Sequence, residues 1–251
     1  MSTEGRRGGR ASRRAERTAF ALRALPALER GIPLYEVLSP ERLELIHDAS
    51  CRILEEIGID FRDAEALALW RDAGADVRGQ RVHIPRDLLL RLLATIPPEF
   101  TLHARNPERS VRIGGRHTVF FPTYGSPFVR MEDNQRRYGT LADLERFHRL
   151  AYLSPAIHNT GSVTCEPVDR PVPKRHLHIT ASAIRNSDKS FMGPVTAPSR
   201  AEDALEMAAI VFGAAFVRDN PVMVSLVNCN SPLVWDETML GALKVYARSN
   251  Q

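Results

Sequence analysis

From about residue 118 the chain alternates strand and helix four times in about 135 residues, and no other feature limits its fold as much. Residues 119–121, 157–164, 191–195 and 222–227 are rich in β-branched and aromatic side chains and read as strands. Residues 141–152, 175–185, 201–216 and 236–247 read as the helices that follow them. Parallel strands need a crossover, and the crossover is normally a helix, so the pattern predicts a parallel sheet. Such a series either opens into a doubly wound sheet or closes into a barrel. No G-x-G-x-x-G or Walker loop follows any of the strands, which favours the barrel. A closed (β/α)8 TIM barrel takes eight units and about 250 residues for the barrel alone. The 251 residues supply four units, so residues 118–251 are expected to form the first half of a TIM barrel, in a sequence that is the N-terminal part of a longer enzyme or a truncated reading frame. On that expectation the chain alone has little or no catalytic activity.

Residues 31–117 read as an α+β extension preceding the barrel. Ser39, Pro40 and Glu41 give a capping residue, a proline at the first helical position and an acid in the first turn. Leu43, Ile46, Ala49, Ile53 and Ile57 follow at three- and four-residue steps, which predicts one buried helix face ending at Gly58. A second helix is expected from the cap Asp63 to Gly74, and a third from Pro85 to Thr95, ahead of Pro97 and Pro98. Short strands are expected at residues 82–84, 100–104, 111–113 and 118–121.

The formal charge of +4 is a property of one end. Residues 1–30 hold eight arginines against three glutamates, leaving 26 basic and 27 acidic groups in the remainder. Residues 1–30 are thus expected to be a mobile basic arm over a nearly neutral body. The body lacks a basic stripe interleaved with aromatics, which argues against a nucleic-acid partner, although a non-catalytic interaction module using the arm remains an alternative. Cys51, Cys165 and Cys229 are odd in number and share no C-x-x-C spacing, so no disulfide framework or thiolate zinc site is indicated and a reducing cytoplasm fits best. Cys165 and Cys229 read as small buried hydrophobes. The longest apolar stretch, 204–217, contains Glu206 and is shorter than the roughly 20 residues of a membrane span.

Several short motifs occur in a fixed order: LIHDASCRILEEIGIDF at 45–61, AGADV at 73–77, VHIP at 82–85, TLHARNP at 101–107, VRIGG at 111–115, YGTLADL at 138–144, NSDK at 186–189 and SPL at 231–233. Together these motifs and the Arg-rich opening resemble the N-terminal region of the trimethylamine methyltransferase family. The resemblance implies a TIM barrel with an N-terminal extension. It also implies transfer of a methyl group from a methylated amine, trimethylamine or a quaternary amine such as glycine betaine, to the cobalt of a corrinoid protein. The corrinoid is supplied by that partner, no cofactor or metal is bound directly, and the full-length enzyme is expected to be a homo-oligomer. Some members carry pyrrolysine in the later half of the barrel, beyond Gln251.

In such a barrel the reacting groups sit in loops at the carboxyl ends of the strands. A methylated ammonium offers few or no hydrogen-bond donors, so its site would use an aromatic face and a carboxylate. Tyr124 and Glu166 are the candidates, with Thr196 and Asn228 placed to orient a substrate carboxylate or the backbone. With a quaternary substrate the leaving group is a neutral amine, so no general-acid constellation is required. The alternative catalytic reading is a metal-dependent hydrolase barrel using His176 and His178, although on a helix two residues at that spacing diverge.

Overall fold

A computed structural model of the protein describes residues 28–230 and 232–251. The expected arm lies outside them except for its last three residues, and these are tied down. Leu28–Glu29 (β1) pairs antiparallel with Thr118 and His117, and the Arg30 N–H donates to Arg116 O at 2.8 Å.

Pro40–Arg52 (α1) begins where the Ser39 side chain accepts from the Arg42 N–H, then widens into a π turn over Ile53–Ile57. Gly58 stops it with φ 76, at a point where a Cβ would lie 2.6 Å from Val82 O. The predicted buried face is corrected here. Leu43, Ile46, Ala49, Ile53 and Ile57 are exposed, Ile46 and Ile57 both at 56%. The periodicity was real, but a different side of the helix is turned inward. Glu44 and Asp48 bond the Arg86 guanidinium, Cys51 is buried, and Leu54 packs on the core. These four positions recur at three- and four-residue steps, so the inward side of the helix joins Cys51 and Leu54 to two acids that bond Arg86.

Ile59–Phe61 (β2) leads to Ala64–Ala73 (α2), whose cap Asp63 accepts from the Ala66 N–H at 2.8 Å and whose end, Gly74, is left-handed, as predicted. Asp76–Arg78 (β3) and Arg81–His83 (β4) form a hairpin, and Arg86–Leu93 (α3) follows. Phe61, Leu67, Val82, Ile84 and Leu88 close one core, in which Phe61 lies 5.5 Å from Trp70 and 6.5 Å from Trp235. Glu99–Leu102 (β5), Val111–Gly114 (β6) and His117–Thr118 (β7) complete an antiparallel sheet in the order β1-β7-β6-β5. Phe128–Arg130 (β8) and Arg136–Tyr138 (β9) make a hairpin.

Leu141–Leu153 (α4), Val172–Asn186 (α5), Phe191–Gly193 (β10), Pro198–Phe212 (α6), Ala214–Asp219 (α7), Met223–Ser225 (β11), Val234–Trp235 (β12) and Glu237–Arg248 (α8) make up the rest. The helix expected over 201–216 is divided at Gly213, φ 89. The strands expected at 119–121 and 157–164 are not formed: the second segment bends at 159, 162 and 164 and is left-handed at Gly161, and isolated hydrogen bonds replace a ladder. The His158 N–H donates to Phe120 O at 2.9 Å, and His158 Nδ1 accepts from the Phe120 N–H at 3.0 Å. The Thr160 N–H reaches Ser190 O at 2.9 Å, and the Met192 N–H reaches Gly161 O at 3.1 Å. With β10 paired in parallel to β11, the four segments abut in chain order.

Around β10 and β11 the second core joins Phe191, Val195, Val222, Met223 and Tyr246 to Ala201, Ala208 and Ala242. Small residues let α6 and α8 approach the pair closely, and a Cβ on Gly241 would meet Pro198 Cγ at 2.4 Å. β12 pairs in parallel with β2, and Lys244 Nζ on α8 donates to both oxygens of Asp63 at 2.8 and 2.7 Å. The end of the chain is therefore bound to the N-terminal region. No helix among the described residues is long and apolar enough to cross a membrane.

Candidate functional site

A cavity of about 100 Å³ opens at the carboxyl ends of segment 157–163 and of β10. Three of the four candidates, Tyr124, Glu166 and Thr196, line it. Asn228 does not; it is exposed on the loop after β11.

The wall carrying Glu166 is fixed from α4. Thr140 and Asp143 form a capping box, in which the Asp143 N–H donates to Thr140 Oγ1 and Asp143 Oδ2 accepts from the Thr140 N–H at 3.0 Å. Arg137 donates to both Asp143 oxygens, at 2.6 and 2.9 Å, and this guanidinium holds the buried carboxyl far below the usual carboxylate range. The next loop is hung from the same helix start. The Leu141 N–H donates to Asp169 Oδ1 at 2.8 Å, the Val168 N–H to Gly139 O at 3.1 Å, and the Glu166 N–H to Ser126 O at 2.8 Å. Gly139 has no room for a side chain, because a Cβ there would lie 2.9 Å from Glu166 O and 3.0 Å from Cys165 Sγ.

Tyr124 is set by its neighbour, whose Gly125 N–H donates to Val163 O at 2.6 Å. Burial, and then the charge of Glu166, raise the Tyr124 phenol above its ordinary range, so it stays neutral. The cavity floor includes Pro194, whose carbonyl accepts from the Tyr246 hydroxyl at 2.7 Å. Gly193 leaves space for that ring, since a Cβ there would lie 2.3 Å from Tyr246 Oη.

Glu166 is an ion-paired carboxylate. Arg175 Nη1 donates to its Oε1 at 2.7 Å, while the other nitrogens of that guanidinium bond Arg170 O. Cys165 is buried as expected, and burial pushes its thiol up to about 11, so it is no nucleophile at neutral pH. Cys229 is exposed, against expectation, on the loop after β11.

His176 and His178 lie on α5, where their spacing directs them apart. Only His176 lines the cavity, and its Nε2 is 2.6 Å from Asp203 Oδ2, while its buried Nδ1 has no partner. Among the described residues no three His, Cys, Asp or Glu side chains are grouped to hold a metal ion.

Sequence reasoning missed Arg175 and Arg200, which line the cavity from the first turns of α5 and α6. Their signal was positional. Each follows a strand-end loop by a few residues, and a search confined to the loops stopped one helical turn short.

A sequence profile described as Trimethylamine methyltransferase matches residues 6–251. Over 221 residues the chain is 46% identical to a glycine betaine methyltransferase of Desulfitobacterium hafniense (strain Y51), covering 88% of this chain and 46% of the relative. It is 28% identical over 214 residues to a proline betaine:corrinoid methyltransferase of Eubacterium limosum, covering 81% and 43% of the two chains. A trimethylamine methyltransferase of Desulfitobacterium hafniense (strain DSM 10664 / DCB-2) is 25% identical over 207 residues, covering 78% and 40%. The chain spans less than half the length of these relatives.

Proposed function

Because the chain belongs to the trimethylamine methyltransferase family, we propose that it forms part of an enzyme moving a methyl group from a quaternary amine to the cobalt of a corrinoid protein. The observation that carries this reading is the convergence of Tyr124, Glu166 and Thr196 on one cavity at the carboxyl ends of the parallel segments. The adjacency of these segments in chain order, with β10 and β11 parallel, supports a fold proposal: residues 118–251 are part of a (β/α)8 barrel, with 31–117 an extension packed on it. The partner corrinoid would supply a strongly nucleophilic reduced cobalt.

The chain's own residues have a limited task in that reaction. When the C–N bond of a quaternary ammonium breaks, its electron pair stays on nitrogen and a neutral tertiary amine leaves, so no proton need be delivered. What remains is to hold the methyl group in line and to keep water away. Tyr124 offers a neutral aromatic face to the cation. Glu166 has one oxygen committed to Arg175, which lets it contribute local negative potential without trapping the substrate as a tight ion pair. A cytoplasmic, oligomeric enzyme is part of the same proposal.

The test is spectroscopic. Mixing the enzyme with a reduced corrinoid protein and glycine betaine should replace the reduced-cobalt absorbance by that of methyl-cobalt, and Tyr124→Ala should slow the change at least tenfold while Tyr124→Phe slows it little. No conversion with glycine betaine, proline betaine or carnitine would overturn the reading.

A further inference from the structure

The cavity contains one more cation than its own carboxylate can balance. Arg175 is committed to Glu166 and to the Arg170 carbonyl. Asp203, the acid one turn along α6 from Arg200, is engaged by His176 at 2.6 Å. Arg200 itself donates only to neutral oxygens, Thr196 Oγ1 at 2.7 Å and Val172 O at 3.4 Å, and forms no ion pair among the described residues. A guanidinium has five N–H donors, so this one retains capacity at the cavity wall.

The backbone beside it has the same polarity. α6 runs for 15 residues from Pro198, and its N-cap, Ala197, has no side chain able to cap the first turn. The positive end of that helix and a guanidinium bonded only to neutral oxygens therefore lie together next to Thr196. Neither feature serves an ammonium ion, which both would repel. Together they form a receptor for a planar anion that accepts two parallel N–H bonds.

We propose that Arg200, with Thr196, anchors a carboxylate of the substrate, so that the cavity selects zwitterionic quaternary amines over methylated amines lacking an acid group. The inference rests on the functional reading above and specifies it further. The carboxylate sits against the first turn of α6, and the quaternary nitrogen is directed toward the Tyr124 side. Arg200 is a specificity residue and takes no part in breaking the C–N bond.

The experiment is calorimetric titration of the full chain with three probes. Glycine betaine carries both charges, 3,3-dimethylbutanoate keeps the shape and the carboxylate but no cation, and tetramethylammonium keeps the cation alone. Arg200→Gln should weaken the first two at least tenfold, the equivalent of one charge-assisted bond, and should not weaken the third, which is relieved of a like charge. Arg200→Lys, which keeps the charge but loses the fork, should fall between and serves if the Gln variant does not fold. Equal weakening of all three probes, or none, would overturn the anchor, as would failure of both carboxylate probes to bind the unaltered chain. The two readings separate cleanly. Carboxylate binding that depends on Arg200 without any methyl transfer would leave the anchor and remove the function; methyl transfer from glycine betaine at an unchanged KM in Arg200→Gln would do the reverse.

Discussion

Asp143→Asn removes one charge and leaves the shape of the side chain unchanged at the point where α4, the Glu166 loop and Arg137 meet. The carboxylate is almost fully buried and takes four bonds: two from Arg137, at 2.6 and 2.9 Å, and two from Thr140, at 3.0 and 2.7 Å. With its oxygen in the Oδ2 position an amide keeps the Thr140 bonds and one weakened Arg137 bond, but it turns an NH2 toward the second guanidinium nitrogen. Each charge-assisted bond is worth about 1.5–3 kcal/mol, and the 41% exposure of Arg137 favours the lower figure, giving a loss of about 2–3 kcal/mol at pH 7. The pH dependence fixes the cause. The folded carboxyl lies below the unfolded value of about 3.9, so its contribution is complete above that pH and is lost as the pH falls below it. Urea unfolding of both proteins at pH 7, 4 and 3 should therefore show the gap shrinking between the last two. A gap under about 0.5 kcal/mol at pH 7, or one that stays constant into acid, would refute the argument.

Lys189 is buried, and its ammonium donates to Ala151 O, Ser154 O and Ile157 O at 2.7, 3.0 and 2.5 Å, closing the end of α4. Three such bonds, offset by the cost of burying a cation, make Lys189→Met destabilising by about 3 kcal/mol in urea unfolding; a loss below about 1 kcal/mol would mean that water replaces the ammonium. Gly193→Ala should cost about 2–4 kcal/mol, because the new Cβ displaces the Tyr246 hydroxyl from Pro194 O, whereas Tyr246→Phe alone should cost about 1 kcal/mol. The double variant should be less destabilised than the sum of the two, since removing the hydroxyl relieves the closest contact; strict additivity would disprove it.

Local signals in the sequence were legible where one residue settles one backbone choice. Ser39, Asp63 and Thr140 each cap the helix that follows them, and Gly58 and Gly74 end helices with positive φ. What could not be read was which side of an element meets a partner. α1 has a good apolar stripe, yet the stripe is exposed, and the side turned inward makes its contacts with residues far along the chain, such as Arg86, 38 residues beyond Asp48. Of the four expected strands only β10 and β11 form a parallel ladder; at residues 119–121 and 157–164 a histidine ring nitrogen standing in for a backbone acceptor, as His158 does for Phe120, leaves no periodic trace. At the site, the strand-end rule found Tyr124, Glu166 and Thr196, but it could not reveal that Glu166 is paired, because its partner follows nine residues later on a helix.

On the proposed function, that pairing changes what the cavity would discriminate. An unpaired Glu166 would favour any small cation, trimethylammonium included, and the site would distinguish its ligands only by size. With Arg175 bound to Glu166 and Asp203 engaged by His176, Arg200 is the cation at the cavity wall that forms no ion pair among the described residues. A simple tetraalkylammonium then gains the Tyr124 face but meets net repulsion. A betaine gains the same face and cancels the repulsion with its own carboxylate. At the few ångströms separating charges in such a cavity, one like-charge pair at an effective dielectric near 20 is worth roughly 4 kcal/mol before screening. Even a third of that gives about tenfold discrimination, more than the size of a single methyl group would provide by contact alone. The neutralised glutamate is therefore what makes the second arginine decisive, and substituting Glu166 by Gln should weaken binding of tetramethylammonium more than that of glycine betaine.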